Sequence, residues 1–190
     1  MSENTKFCIC CGEDVPCNRI TRDGSEELTC VYCGFVVGTP AKPSQAAAKC
    51  IIAVDDVASV RELLKGMLIN KRLADTVSTA GNGQEFVGLF NNRLADRQPV
   101  DMVILDLEMP VMDGIAAARM MRAVEDKHRA ARSPILFFSA RKCDDALKKQ
   151  LGLFAPASYV NKGTSTHFDD LVARIDQLVT HLLNKKRATA

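Results

Sequence analysis

Five residues able to handle a phosphoryl group each follow a short apolar run. Asp55 and Asp56 close "CIIAV", Asp106 closes "VDMVIL", Ser139 ends "PILFFS", and Lys162 follows "SYVN". Asp106 opens the stretch "DLEMPVMDG", so a buried run ends on a carboxylate and turns at once through Glu108, Met109 and Pro110. Three carboxylates gathered at one edge repel each other. They become compatible around a hard divalent cation, and Mg²⁺, which favours a few carboxylates plus water and phosphate oxygens, fits best. An ammonium and a hydroxyl beside them supply a cation and a hydrogen-bond donor for a phosphoryl group. In that setting Asp106 stays ionised and can act as a nucleophile. Each residue alone has an ordinary reading: a helix cap for Asp55, a turn-and-cap for Asp113-Gly114, a surface lysine, a strand-end hydroxyl. Their joint occurrence favours the site.

A second chemistry lies at the N-terminus. Six of the eight cysteines fall in the first 33 residues, as Cys8, Cys10, Cys11, Cys17, Cys30 and Cys33. "CICCG" and "CVYCG" hold two C-x2-C pairs, Cys8/Cys11 and Cys30/Cys33, each followed by a glycine that lets backbone amides turn toward thiolates. Pairs at this separation point to a tetrahedral zinc ion. Cys10 and Cys17 are left over, and a redox-active cysteine cluster is the competing reading. Cys50 and Cys143 read as a core residue and a helix-start residue, and His128, His167 and His181 as surface or capping residues.

The elements that must position these groups alternate. The run at 50–54 is continuous and apolar, as a strand covered on both faces is, and 76–80, 100–105, 134–139 and 158–161 read as four further strands. Between them lie helical spacings: Val60, Leu63, Leu64, Met67 and Leu68; Phe86, Leu89, Phe90 and Leu94; the Ala- and Met-rich 114–125; and a short helix around "DDALKKQLG". The last helix carries a stripe of Phe168, Leu171, Val172, Ile175, Leu178, Val179 and Leu182. Five β-α units predict an α/β fold, an open parallel sheet with helices on both faces. In such sheets functional residues collect at the carboxyl ends of the strands, where strand order reverses.

The boundaries follow from composition. Residues 1–38 form a cysteine module, 39–48 a Pro- and Ala-rich linker, 49–185 the α/β domain and 186–190 a basic tail. Residues 1–40 are net acidic, whereas the whole 190-residue chain carries +2, so no electrostatic partner is indicated. A segment of about 40 residues buries too little apolar surface to fold alone, and zinc would supply much of its stability. No run of about 18 apolar residues and no secretory signal occurs, so a cytoplasmic protein without membrane insertion is expected.

The set "VDD", "LDLEMPVMDG", "FFSA" and "YVNKG", in this order, resembles the receiver domain of two-component response regulators over about residues 49–184. The resemblance implies a flavodoxin-like fold and phosphoryl transfer from a sensor histidine kinase or phosphotransfer protein. It makes Asp106 the phosphoacceptor, modified to 4-aspartylphosphate, with Asp56, Asp106 and the backbone carbonyl of Glu108 on Mg²⁺ and Asp55 acting mainly through a metal-bound water. Ser139 and Lys162 would hold phosphoryl oxygens, Ala140 would leave room for them, and Tyr159 would be the switch aromatic paired with Ser139; a half-buried core tyrosine is the alternative. Glu108 and Arg141 would line the entrance. Gly163 departs from the family, which usually has a proline there, so the Lys162 loop is less pre-set. Residues 6–38 resemble a zinc ribbon. Its acidic balance and few aromatics favour docking to protein over nucleic acid. With the chain ending after the last receiver helix, a non-enzymatic regulator that signals through a downstream protein partner is expected.

Overall fold

The computed structural model describes residues 5–8, 10–22, 25–37, 48–163 and 168–188. The expected linker falls almost wholly outside these residues, as does His167.

Three antiparallel strands build the N-terminal module: β1 (Thr5–Cys8), β2 (Glu13–Arg22) and β3 (Ser25–Cys30). Cys8 pairs with Glu13 across the first turn, and Cys17 pairs with Cys30. After β3 the chain folds back, with Thr29 bridging Val36 and the Val37 amide donating to the Leu28 carbonyl at 2.6 Å.

The α/β domain runs β4 (Ala48–Val54), α1 (Ala58–Asn70), β5 (Ala74–Ala80), α2 (Gly83–Ala95), β6 (Met102–Leu105), α3 (Gly114–His128), β7 (Ile135–Ser139), α4 (Asp145–Gly152), β8 (Ala157–Asn161) and α5 (Phe168–Ala188). The sheet order is β5-β4-β6-β7-β8, and every pairing is parallel. β6 and β7 are buried along their whole length, as expected of central strands covered on both sides. Order reverses between β4 and β6, so their carboxyl ends frame the crevice.

Local chemistry sets the helix starts. Asn82, Asp113 and Asp144 cap α2, α3 and α4, each accepting a backbone N–H three residues on. Glu85 braces the same turn by accepting from the Gly81 amide at 2.8 Å and from Asn82 Nδ2 at 3.0 Å. The third strand is shorter than the apolar run suggested. Asp101 turns its carboxylate onto the amides of Lys49 and Cys50 at 2.7 and 3.2 Å, so the extended ladder begins at Met102. The segment expected as a basic tail continues α5 through Ala188.

The two parts share one core. Cys8, Cys10, Cys11, Val15, Cys30 and Val37 belong to the same buried apolar cluster as Ile52, Ile104 and Leu178.

Candidate phosphoacceptor and thiolate sites

Backbone register carries the acids to one rim. Val54 pairs with Leu105, so Asp55 and Asp106 emerge side by side. Asp55, Asp56 and Asp106 each bring a carboxylate oxygen within 4.8 Å of the others. Asp55 is wholly buried, Asp106 nearly so, and Asp56 is exposed at the mouth. The Asp55 Oδ1 accepts from the Val57 amide at 3.0 Å, and Arg61 Nη1 donates to the carbonyls of Asp55 and Asp56 at 2.7 and 3.0 Å, which fixes the turn into α1. Burial raises the Asp55 pKa, opposed by the Lys162 ammonium and the Val57 amide.

Lys162 closes the pocket from β8. Its Nζ lies 2.6 Å from Asp55 Oδ2 and 2.6 Å from Asp106 Oδ2. The ammonium also sits 5.2 Å from the Phe138 ring centroid. Ser139, fully buried at the end of β7, accepts the Arg141 amide on Oγ at 3.3 Å, and its carbonyl accepts the Lys162 amide at 2.8 Å. Glu108 is exposed, and its amide donates to Asp106 Oδ1 at 3.3 Å. The Asp-Gly pair after the turn is set by contact: a Cβ on Gly114 would run into the Asp106 carbonyl oxygen. Glu108 and Arg141 line a cavity beside this mouth with Met109 and Asp113. Ordinary oxygen donors, clustered and partly buried, suit a hard cation such as Mg²⁺.

Tyr159 is buried and faces inward. Its hydroxyl donates to the Arg141 carbonyl and, at 3.4 Å, to that of Ser139, and accepts from Asn161 Nδ2 at 3.1 Å. Asn161 gave no signal of its own in the sequence beyond its place before Lys162. Its Nδ2 also donates to the Arg141 carbonyl at 2.9 Å, and its Oδ1 accepts the Gly163 amide at 2.8 Å. A proline at 163 has no such N–H to give. The departure at Gly163 is therefore coupled to Asn161, which bridges over Lys162 and shapes its loop.

The four cysteines of the two C-x2-C pairs converge, with one sulfur from each within 4.8 Å of the rest. Cys8 and Cys33 sulfurs are 3.5 Å apart, Cys11 and Cys30 3.7 Å. The Cys11 amide points at the Cys8 sulfur at 3.5 Å and the Cys33 amide at the Cys30 sulfur at 3.4 Å, so both turns are equivalent knuckles. Gly12 and Gly34 end them at φ 79° and 72°, left-handed angles that glycine adopts without strain. Thiol hydrogen bonds, first from Cys10 and then Cys30, hold Cys11 far below the usual thiol range. The same contacts, first with Cys10 and Cys11, drive Cys33 far above it. Four sulfurs this close offer soft donors that a metal cation could gather once their protons leave. Cys17 stands apart, its sulfur 3.5 Å from the Val15 carbonyl.

Cys10, one of the two left-over cysteines, joins the modules. Its thiol donates to the Tyr159 carbonyl, and its own carbonyl accepts the Asn161 amide at 3.0 Å and Arg174 Nη2 at 3.1 Å. Arg174 Nη2 also reaches the Asn161 carbonyl at 3.0 Å. The sequence hid Arg174: it lies three residues after Leu171 and four before Leu178, on the apolar face of α5. Lys148 Nζ donates to the Val31 carbonyl at 3.1 Å, and the Phe35 ring meets His181 edge-on at 5.5 Å. His181, expected as a surface or capping residue, thus contacts the cysteine module.

A family model for the response regulator receiver domain matches residues 51–176. A protein-glutamate methylesterase/protein-glutamine glutaminase of Paramagnetospirillum magneticum is 32% identical over 139 residues, covering 73% of this chain and 33% of that protein. Another, from Hahella chejuensis, is 33% identical over 109 residues, covering 57% and 27%. The chain thus spans a third or less of the length of these relatives. Among solved structures, the receiver domain of the histidine kinase CKI1 from Arabidopsis thaliana, complexed with Mg²⁺ and BeF₃⁻, aligns at TM-score 0.59 and 20% identity over 74% of this chain and 90% of that one. The Vibrio cholerae chemotaxis protein CheY4 aligns at 0.56 and 21% identity over 72% and 99%. At these identities they establish the fold alone.

Proposed function

The chain belongs to the response regulator receiver family, and on that footing we propose that it takes a phosphoryl group onto Asp106 from the phosphohistidine of a sensor histidine kinase or phosphotransfer protein. The observation that carries the reading is the Lys162 ammonium, 2.6 Å from both Asp55 and Asp106 within a knot of three carboxylates.

An Asp106 carboxylate oxygen attacks the phosphorus in line with the phosphorus–nitrogen bond. That bond breaks, its electron pair stays on the imidazole nitrogen, and an acyl phosphate forms. Lys162 leaves Asp106 for a phosphoryl oxygen and limits charge build-up there. The Ser139 hydroxyl turns from the Arg141 amide to donate to a second oxygen. Mg²⁺, held by Asp55, Asp56, Asp106 and the Glu108 carbonyl, would supply neutralisation of the remaining phosphoryl charge. Phosphorylation then redistributes the Ser139 and Tyr159 arrangement and alters binding to a downstream protein, with no reaction on an external substrate beyond phosphoryl uptake and loss.

Zn²⁺ bound by Cys8, Cys11, Cys30 and Cys33 would hold the N-terminal module together. Support comes from the matching amide-to-sulfur contacts of the two knuckles and the clustered sulfurs.

Replacing Asp106 by Asn tests the reading. Mg²⁺-dependent labelling by acetyl phosphate should vanish while zinc content stays at that of the wild type. Labelling that persists at the wild-type level moves the acceptor to another residue.

A further inference from the structure

Resting on the two sites just proposed, we infer that zinc loading of the cysteine module and phosphoryl loading of the receiver reinforce each other through the edge of β8. The first knuckle is the receiver's own resident ligand on that edge. β8 is the last strand of its sheet, and an edge strand leaves a row of backbone groups without a neighbour. Cys10 fills part of that row: its carbonyl takes the Asn161 amide, and its thiol takes the Tyr159 carbonyl. Arg174 clamps the junction by donating to the carbonyls of both Cys10 and Asn161 at 3.1 and 3.0 Å.

The clamp reaches both sites within one residue. Cys10 precedes Cys11 of the four-cysteine cluster, and Asn161 precedes Lys162, whose ammonium grips Asp106. With the knuckle seated, the Asn161 peptide is held at its N–H and its carbonyl, so Lys162 emerges from a fixed strand. Gly12 is packed into the same junction, since a Cβ there would lie 2.6 Å from the Arg174 guanidinium. A cavity of about 150 Å³ between the modules, lined by Cys11, Tyr32, Ala140, Cys143, Tyr159 and Asn161, leaves room for small shifts without undocking.

The sign follows from pre-organisation. Zinc favours the folded knuckle and hence the docked module, and docking orders the strand that delivers Lys162. A phosphoryl group that engages Lys162 favours the same ordered strand. Two ligands that favour one state bind with positive coupling, and the coupling factor is the same in both directions.

Zinc affinity of the full chain is measured by chelator competition with and without Mg²⁺ and beryllofluoride, and beryllofluoride affinity with and without zinc. Both affinities should rise by about tenfold when the other ligand is present. Equal affinities, or a weakening, overturn the coupling while both sites stand. Failure of either ligand to bind overturns the site reading and the coupling together. In Arg174→Met both ligands should still bind and the ratio should fall to about one; a ratio as large as that of the wild type overturns the clamp. In the wild type, zinc removal should speed hydrogen exchange at the Asn161 amide by about tenfold or more, with Ile104 staying protected. An unchanged Asn161 amide overturns the proposal whatever the variant does.

Discussion

Asp55 carries the heaviest electrostatic load in the pocket, a wholly buried carboxylate balanced by Lys162 and one backbone amide. Burial raises its pKa above the unfolded value, so the folded chain binds that proton more tightly than the unfolded chain. The associated stability is present at acid pH and is lost as pH rises through the folded pKa. Above the folded pKa, desolvation of the ionised Asp55 opposes folding. Asp55→Asn should raise the thermal midpoint by about 3 °C, the scale of a 1 kcal/mol change in a chain this long, and should remove the further rise that Mg²⁺ gives the wild type. Calorimetry with and without Mg²⁺ checks both; a lowered midpoint means the Lys162 contact outweighs desolvation.

Among the elements, α3 shows how a helix end positions distant loops. Glu125 is fully buried and accepts from Arg122 at 2.8 Å, Arg132 at 3.2 Å and the Ser133 amide at 2.7 Å. Arg122 extends the network to the carbonyls of Ser133 and Phe154 at 2.9 and 2.6 Å, tying α3 to the approaches of β7 and β8. Removing one member leaves a buried charge without its counterpart. Glu125→Ala should cost about 3–5 kcal/mol in urea unfolding. Asp106 labelling per folded molecule should be unchanged, because the network lies at the opposite ends of the strands from the acids.

At the scale of the molecule, the cysteine module and the receiver fold as neighbours over one continuous core, and Asn161, Arg174, Lys148 and His181 all contribute to their junction. No helix among the described residues is long and apolar enough to cross a membrane. Cys33→Ser should abolish zinc binding and melt residues 5–37 while the parallel sheet persists. Exchange should rise across β1–β3 and at Asn161 yet stay slow in β6, as hydrogen-exchange mass spectrometry would report. Melting of the entire chain would instead make the module part of the receiver's cooperative unit.

The parallel sheet, the rim acids, Ser139, Lys162 and the two C-x2-C pairs were all legible in the residues. Strand hydrophobicity and ligand spacing are local properties, and a chain carries them without help from distant contacts. The junction was not legible. Cys10 looked spare and His181 looked superficial, Arg174 was hidden on an apolar face, and Asn161 passed as a neighbour of Lys162. Their roles arise where a knuckle near residue 10 meets a strand near residue 160, and pairings that distant are set by burial and hydrogen-bond satisfaction in the assembled fold. Tertiary structure alone therefore decided that the knuckle beside one metal-capable site docks on the strand that delivers Lys162 to the other.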